Sequence, residues 1–253
     1  MPTEEKIIRK MVKLIETNLI GAENTFLLSL LVKEYLFNKS AYEVILYIKN
    51  KRPLKISNRI FHSGIDMTSK VCEFITNNLL SEDSTIIDCG CGSGIISLLV
   101  SEYVSRVIAF DINEEAVEIA KQNLKNVKNV KVIKHDFRNI QKINDEDFTA
   151  VIFNAPFYVV RNSFPISREM QGWLISESDI PKFFRFCIKN LKKGGHIYLI
   201  LSLLGSYKIY LSYIFSLKKI MFSNCWVFWD RISYNGKIII EPIILIDILL
   251  TEK

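Results

Sequence analysis

Apolar residues recur at intervals of three and four from Glu4 to about Lys49, as in Ile8, Val12 and Ile15 and again in Phe26, Leu27, Leu30, Leu31 and Tyr35. That spacing places them on one face of a helix. Gly21 with Asn24 and Thr25, and then Asn38 to Ser40, interrupt the rhythm and predict turns between short helices. The segment Asn50 to Ser57, with Lys51, Arg52, Pro53 and Lys55, breaks the pattern altogether. It reads as a linker or extended arm, since the residue before a proline is biased away from the helical region. A boundary near residue 60 follows. It divides the chain into an N-terminal helical, basic recognition module (1–60) and a larger domain (61–253).

Past that boundary, short β-branched runs alternate with amphipathic helical stretches, the pattern of a parallel sheet covered by helices on both faces. A helix at Thr68–Leu80 precedes a strand at Thr85–Cys89, a glycine turn and a helix at Ile95–Tyr103. Strand Arg106–Asp111, helix Glu114–Asn126, strand Val130–His135 and strand Ala150–Asn154 come next. Helix Ile180–Leu191 leads through Gly194 and Gly195 into strand His196–Leu201. A helix at Tyr207–Ser216 and two β-rich stretches, Asn224–Arg231 and Lys237–Leu249, complete the chain. The expected fold class is therefore α/β, a doubly wound sheet with a small helical module before it.

Composition narrows this little: 49% hydrophobic and 24% charged residues are ordinary for a globular chain. Charge adds more. Residues 1–60 hold 11 Lys and Arg against 6 Asp and Glu, which accounts for most of the net +6 and suggests an acidic partner such as RNA for the N-terminal segment. The longest apolar run, Ile197 to Tyr207, is well short of the roughly 20 residues a membrane helix needs. The charged N-terminus lacks the apolar core of a secretory signal, so a cytoplasmic, non-membrane location is expected. Cys72, Cys89, Cys91, Cys187 and Cys225 contain no CxxC pair. They are expected to be reduced thiols, with no metal site.

The chemistry concentrates at strand ends. In Thr85-Ile-Ile-Asp88-Cys-Gly90-Cys-Gly92-Ser-Gly94 an apolar strand runs into an acid, then into three glycines at alternate positions. Such glycines let backbone approach a ligand where strand gives way to helix. The spacing G-x-G-x-G differs from the G-x-G-x-x-G of dinucleotide sites. An acid two places earlier suits a cofactor with a free amino-acid end, whose ammonium Asp88 would receive directly or through water. Asp111, 23 residues after Asp88 and followed by Ile112 and Asn113, ends the next strand, where a carboxylate accepts ribose hydroxyls. His135-Asp136-Phe137 ends the third, offering an acceptor for an adenine amino group and a ring to cover the base.

Asp88 to Gly94, Asp111 and Asp136 together resemble the cofactor motifs of class I, Rossmann-like S-adenosylmethionine-dependent methyltransferases, over about residues 60 to 250. That resemblance implies a seven-stranded sheet with the last strand antiparallel, and S-adenosyl-L-methionine as cofactor. It also implies a cofactor site drawn from Asp88, Gly90, Cys91, Gly92, Gly94, Asp111, Ile112, Asp136, Phe137 and Asn154. The strand Ala150-Val-Ile-Phe-Asn154 ends in Asn154-Ala155-Pro156-Phe157, which resembles the Asn-Pro-Pro-Phe/Tyr motif of enzymes that methylate amide or exocyclic amino nitrogens. The lone pair of such a nitrogen is delocalised. The Asn154 side-chain oxygen and the Ala155 carbonyl would bind its hydrogens and turn the lone pair toward the methyl, so that catalysis is mainly alignment. Ala155 departs from the motif, but Pro156 still biases it toward extended backbone. Phe157, helped by Tyr158, would stack on the acceptor. The domain looks most like the HemK-like enzymes that methylate a protein glutamine, with an RNA adenine or guanine amino group, or a small molecule, as alternatives. Phe61 to Thr68, including His62, lies where such enzymes carry a substrate and cofactor lid.

Overall fold

The computed structural model describes residues 4–25, 28–33, 43–48, 52–57, 65–143, 145–234 and 237–252. Its first elements are helix α1 (Glu4–Glu16), the two-residue strand β1 (Leu19–Ile20) and the short helix α2 (Leu28–Val32). The predicted continuation of the helical pattern to Tyr35 and the turn at Asn38 to Ser40 lie outside the described residues. Strands β2 (Glu43–Ile48) and β3 (Arg52–Ser57) form an antiparallel hairpin where the sequence suggested a helix and then a free arm. A five-residue apolar run such as Val44 to Ile48 satisfies either periodicity, and pairing decides between them. The hairpin is docked rather than loose. Leu54 and Ile56 are buried against Leu98 and Leu124, while the Asn123 side chain accepts from Lys55 N at 2.8 Å and donates to Lys55 O at 2.8 Å. Lys49, Lys51, Arg59 and the segment 61–64 with His62 lie outside the described residues.

Helix α3 (Ile65–Asn78) opens the larger unit, followed by β4 (Thr85–Cys89), α4 (Ile95–Val100), β5 (Arg106–Asp111), α5 (Glu114–Leu124), β6 (Val130–Lys134) and β7 (Phe148–Asn154). Two three-residue strands, β8 (Tyr158–Val160) and β9 (Leu174–Ser176), come before α6 (Asp179–Asn190) and β10 (Leu191–Ser202). Helix α7 (Tyr207–Ser216) and the long strands β11 (Ile220–Tyr234) and β12 (Lys237–Leu250) follow. The main sheet has seven strands in the order β11-β12-β10-β7-β4-β5-β6. Strands β10, β7, β4, β5 and β6 run parallel, and β12 lies antiparallel between β10 and β11.

Both faces of the sheet are covered, as its near-continuous apolar strands require. Ile108, Phe110, Val151, Phe153, Leu199 and Ile246 pack on one face under Phe183, Phe184 and Cys187 of α6 and Tyr210 and Ile214 of α7. Their alternating neighbours Ile86, Val107, Ile152 and Leu245 pack on the other under Val71 and Ile75 of α3 and Ile96 and Val100 of α4. Gly94 carries a φ of 82°, and a Cβ there would lie 2.8 Å from Leu124 Cδ1. This glycine lets α4 close on α5. Strand order reverses between β4 and β7, so the parallel strands open a crevice at their carboxyl ends, the general ligand position of such sheets. No described helix is long and apolar enough to cross a membrane.

A smaller apolar cluster joins Ile15, Leu28 and Val32 of the N-terminal segment to Phe157, Tyr158, Val160, Phe164, Trp173 and Leu174. Backbone bonds reinforce it. Strand β1 pairs antiparallel with β8, Leu19 opposite Val160 and Ile20 opposite Val159, and Arg161 N donates to Asn18 O at 3.0 Å.

One buried acid gives the fold a pH dependence. Glu241 is 3% exposed and accepts from Ser202 Oγ. Burial pushes its carboxyl up to about 7 against that bond, and nearby Asp230 adds to the rise. The folded state therefore keeps the Glu241 proton to about pH 7, whereas an unperturbed glutamate releases it near 4.5. Between those values the folded state binds more protons than the unfolded one, so stability falls as pH rises, by about 3 kcal/mol in all. Glu241→Gln keeps an acceptor for Ser202 without the charge. Its melting temperature is expected to rise relative to the parent between pH 5 and pH 8, and parallel curves for the two proteins across that range would refute the assignment.

Candidate active site

A cavity of about 340 Å³ opens at the carboxyl ends of β4, β5, β6 and β7. Its floor is the turn after β4. Gly90 and Gly92 line it with φ of 66° and 53°, conformations that L side chains adopt only under strain. A Cβ on Gly90 would project to 3.4 Å from Phe153 Cε2. Cys91 lies beside them, and burial pushes its thiol well up, so it acts as a small neutral filler. All five cysteines are unpaired. Among the described residues no cluster of His, Cys, Asp or Glu is arranged to hold a metal ion.

Asp111 is the best-organised acid of the site. Its Oδ1 accepts from Asn113 N at 2.8 Å and its Oδ2 from Gly92 N at 3.0 Å. Burial raises its carboxyl from the ordinary value, opposed by the N–H groups of Asn113, Gly92 and Ile112. Each oxygen keeps a further lone pair, and Asp111, Ile112 and Asn113 all face the cavity. Asn113 also caps α5, accepting from Glu115 N at 3.1 Å. A diol arriving here meets an acceptor already aimed and tied to the glycine turn.

Asp88 stands differently from expectation. It is fully buried and not among the cavity walls. Its Oδ2 accepts from Ser97 N at 3.0 Å and Ser97 Oγ at 2.6 Å, and Oδ1 is buried with no hydrogen-bond partner among the described residues. Burial pushes its carboxyl up to about 6, the two Ser97 bonds opposing. In this geometry Asp88 braces the first turn of α4 behind the glycine loop rather than meeting a ligand ammonium directly. Gly94 likewise lies off the cavity wall.

Asp136 and Phe137 do line the cavity. Arg138 occupies both Asp136 oxygens, donating from Nε at 2.8 and 3.0 Å and from its backbone N at 2.9 Å. Burial pushes this carboxyl up, but the bonds and charge of Arg138 outweigh it and hold the group below its usual range. Arg138 also approaches Asp179 Oδ2 at 3.7 Å, linking the turn after β6 to α6. An adenine amino group would share Asp136 with this arginine.

Asn154 and Pro156 reach the cavity wall from the end of β7, whereas Ala155 and Phe157 do not. Ala155 N donates to Ile200 O at 3.0 Å. Proline has no N–H to offer there, so the departure from the double-proline motif exchanges a fixed φ for a hydrogen bond. The stacking role expected of Phe157 and Tyr158 does not fit this geometry. Phe157 is 8% exposed in the N-terminal cluster, and Tyr158 is buried with its hydroxyl donating to Asn24 O at 3.1 Å. Strand β8 begins at Tyr158 and pairs with β1 and β9, which turns both rings away from the crevice.

The opposite wall carries no recognisable motif. The segment between β8 and β9 supplies Asn162, Phe164, Ile166, Arg168 and Gln171. Arg168 comes near enough to α5 to help Lys134 hold the Glu114 carboxyl below its ordinary value. His135 also lines the cavity with Nε2 buried and unpartnered among the described residues. Only proximity to Asp136 in sequence could have flagged it.

A glycine turn with positive φ and a pre-aimed acid at the second strand end thus face one cavity, on a parallel sheet closed by an antiparallel strand. Residues 80–203 match the family model for a methyltransferase domain. Over 162 residues the chain is 28% identical to a ribosomal protein L11 methyltransferase of Acetivibrio thermocellus, covering 58% of this chain and 51% of that one. The chain thus spans about half the length of the curated relative it matches. Among solved structures, Trm5 of Methanocaldococcus jannaschii in complex with adenosine superposes with a TM-score of 0.57 at 16% identity, over 85% of this chain and 58% of that one. A tRNA methyltransferase structure from the same organism gives a TM-score of 0.50 at 18% identity, again over 85% and 58%. These likenesses show the shared fold.

Proposed function

We propose that the protein transfers a methyl group from S-adenosylmethionine to a planar nitrogen, and that the acceptor is a protein side-chain amide. The observation that carries this is the place of Asn154: at the end of β7, on the wall of the cavity that Gly90, Gly92 and Asp111 also line. In this reading Gly90, Cys91 and Gly92 give backbone approach to the cofactor's amino-acid end. Asp111 and Ile112 hold its ribose, Asp136 and Phe137 hold its adenine, and Asp88 and Gly94 shape the turn from behind. When bound, the cofactor supplies an electrophilic methyl on its sulfonium. Asn154 accepts a hydrogen of the acceptor nitrogen and fixes the direction of its lone pair, while Pro156 restricts the backbone that follows it. No strong base is needed, because the nitrogen sheds its proton after the methyl has arrived.

A glutamine-like amide is favoured because Phe157 and Tyr158, the rings a nucleobase would stack on, are turned into the N-terminal cluster. An RNA base is the second reading. It draws on the exposed Arg168 of the opposite wall and on residues 1–60 as a basic recognition module. The deciding experiment incubates the protein with methyl-labelled cofactor and a cell extract, then digests the product with protease or with ribonuclease. Label released by protease and resistant to ribonuclease is expected. Ribonuclease-sensitive label would replace the amide reading with the RNA one.

A further inference from the structure

The peptide after Asn154 is held from outside at nearly every polar atom. Ala155 N donates to Ile200 O at 3.0 Å. Tyr210 Oη donates to Pro156 O at 3.2 Å, and Ser206 N donates to Phe157 O at 2.8 Å. Ser206 Oγ accepts from Val159 N at 3.1 Å. Among these three successive carbonyls, only that of Ala155 has no hydrogen-bond partner among the described residues. Ala155 is 1% exposed and off the cavity wall, so that oxygen is out of reach of a ligand in the cavity. The donors come from one place, the turn between β10 and the first turns of α7. That turn also packs tightly on the motif, for a Cβ on Gly205 would lie 2.0 Å from Phe157 O.

We propose that this turn, through Gly205, Ser206 and Tyr210, is a positioning device for methyl transfer: it engages the Pro156 and Phe157 carbonyls and so holds Asn154 and Pro156 at the cavity wall. None of the three residues lines the cavity, so they act through the motif and not on the reacting atoms. The inference rests on the reading of Asn154 to Phe157 as the acceptor motif. Tyr210 and Ser206 are buried, and Tyr210 reaches the motif from the α6 and α7 side of the sheet. The hydroxyl is therefore committed to Pro156 and unavailable to solvent. Were Pro156 O released, the peptide could rotate and carry the Asn154 side chain out of line, and misplacement of about 1 Å can cost roughly 100-fold in rate.

The test compares Tyr210→Phe with Tyr198→Phe. Both remove one buried hydroxyl that donates to a backbone carbonyl, Tyr198 bonding Leu79 O at 3.1 Å on the opposite face and away from the motif. Rates of label incorporation are measured with methyl-labelled cofactor and the extract fraction that accepts it. Affinity for S-adenosylhomocysteine is measured by calorimetry, and melting temperature for each variant. Similar losses of melting temperature are expected for the two. Tyr210→Phe is expected to lower the maximal rate roughly 10- to 100-fold with unchanged affinity for S-adenosylhomocysteine, and Tyr198→Phe to keep the parent rate. If the two variants lose rate equally, or neither does, while Asn154→Ala remains inactive, the positioning role is overturned and the acceptor motif stands. If Asn154→Ala keeps the full rate, the motif reading fails and the positioning role with it.

Discussion

Asn154→Ala is expected to slow methyl transfer by roughly 100- to 1,000-fold, the cost of losing one aimed acceptor, with affinity for S-adenosylhomocysteine nearly intact. The separation follows from the site. The residues that would hold the cofactor lie on the turns after β4, β5 and β6, while Asn154 enters from β7 on the side toward Pro156 and the β8–β9 segment. Asn154→Asp sharpens the test, because it preserves an acceptor oxygen but sets a negative charge beside a sulfonium. Cofactor binding should then be unchanged or tighter and turnover impaired. Full activity of the alanine variant with a lowered melting temperature would make Asn154 a turn former and remove the main support for a nitrogen acceptor.

Asp111→Ala is expected to act on the other half of the reaction. Truncation strands the N–H groups of Gly92 and Asn113 as well as the ribose hydroxyls, and each orphaned group costs about 1 to 3 kcal/mol. Cofactor affinity should fall 10-fold at the least and 100-fold or more if the glycine turn relaxes, since each 1.4 kcal/mol is tenfold. Asp111→Asn retains one acceptor oxygen and should fall between. Because Asp111 also braces the turn, a loss of melting temperature is expected even without ligand. Titration calorimetry with S-adenosylhomocysteine reads the first effect and thermal denaturation the second. Parent-like affinity in the alanine variant would refute ribose binding by this residue.

How much of this the chain reveals without its structure depends on distance along the sequence. The strands ending at Cys89, Asp111 and Asn154 are legible because each is a short β-branched run followed by turn residues, and that local signal survives burial. The positive φ of Gly90 and Gly92 was likewise implicit in their spacing. What a side chain faces is set by partners elsewhere in the chain. Phe157 is buried because residues near its N-terminus supply a cluster for it, and nothing in Asn-Ala-Pro-Phe says so. Asp88 sits behind its loop because Ser97, nine residues on, takes its carboxylate. Arg138, two residues past Asp136, shows that even adjacent sequence conceals competition for one carboxylate. Strands β8 and β9 are three residues each, too brief to leave a period, and they organise the wall that no motif announced.

The pairing of β1 with β8 joins Leu19 to Val160, residues separated in the chain by strands β4 to β7 of the main sheet. Everything from β4 to β7 is local by comparison and can condense from neighbouring segments, whereas closing so long a loop must be paid in chain entropy before its contacts give any return. The segment that carries β1, made before the strands of the main sheet, therefore waits until β8 has been made. During synthesis its apolar positions Ile15, Leu28 and Val32 stay exposed until the stretch after Asn154 has emerged. The acceptor-side wall is then completed after the glycine turn, so that a nascent or partly unfolded chain can possess that turn and its bracing acids before it possesses a finished place for the acceptor.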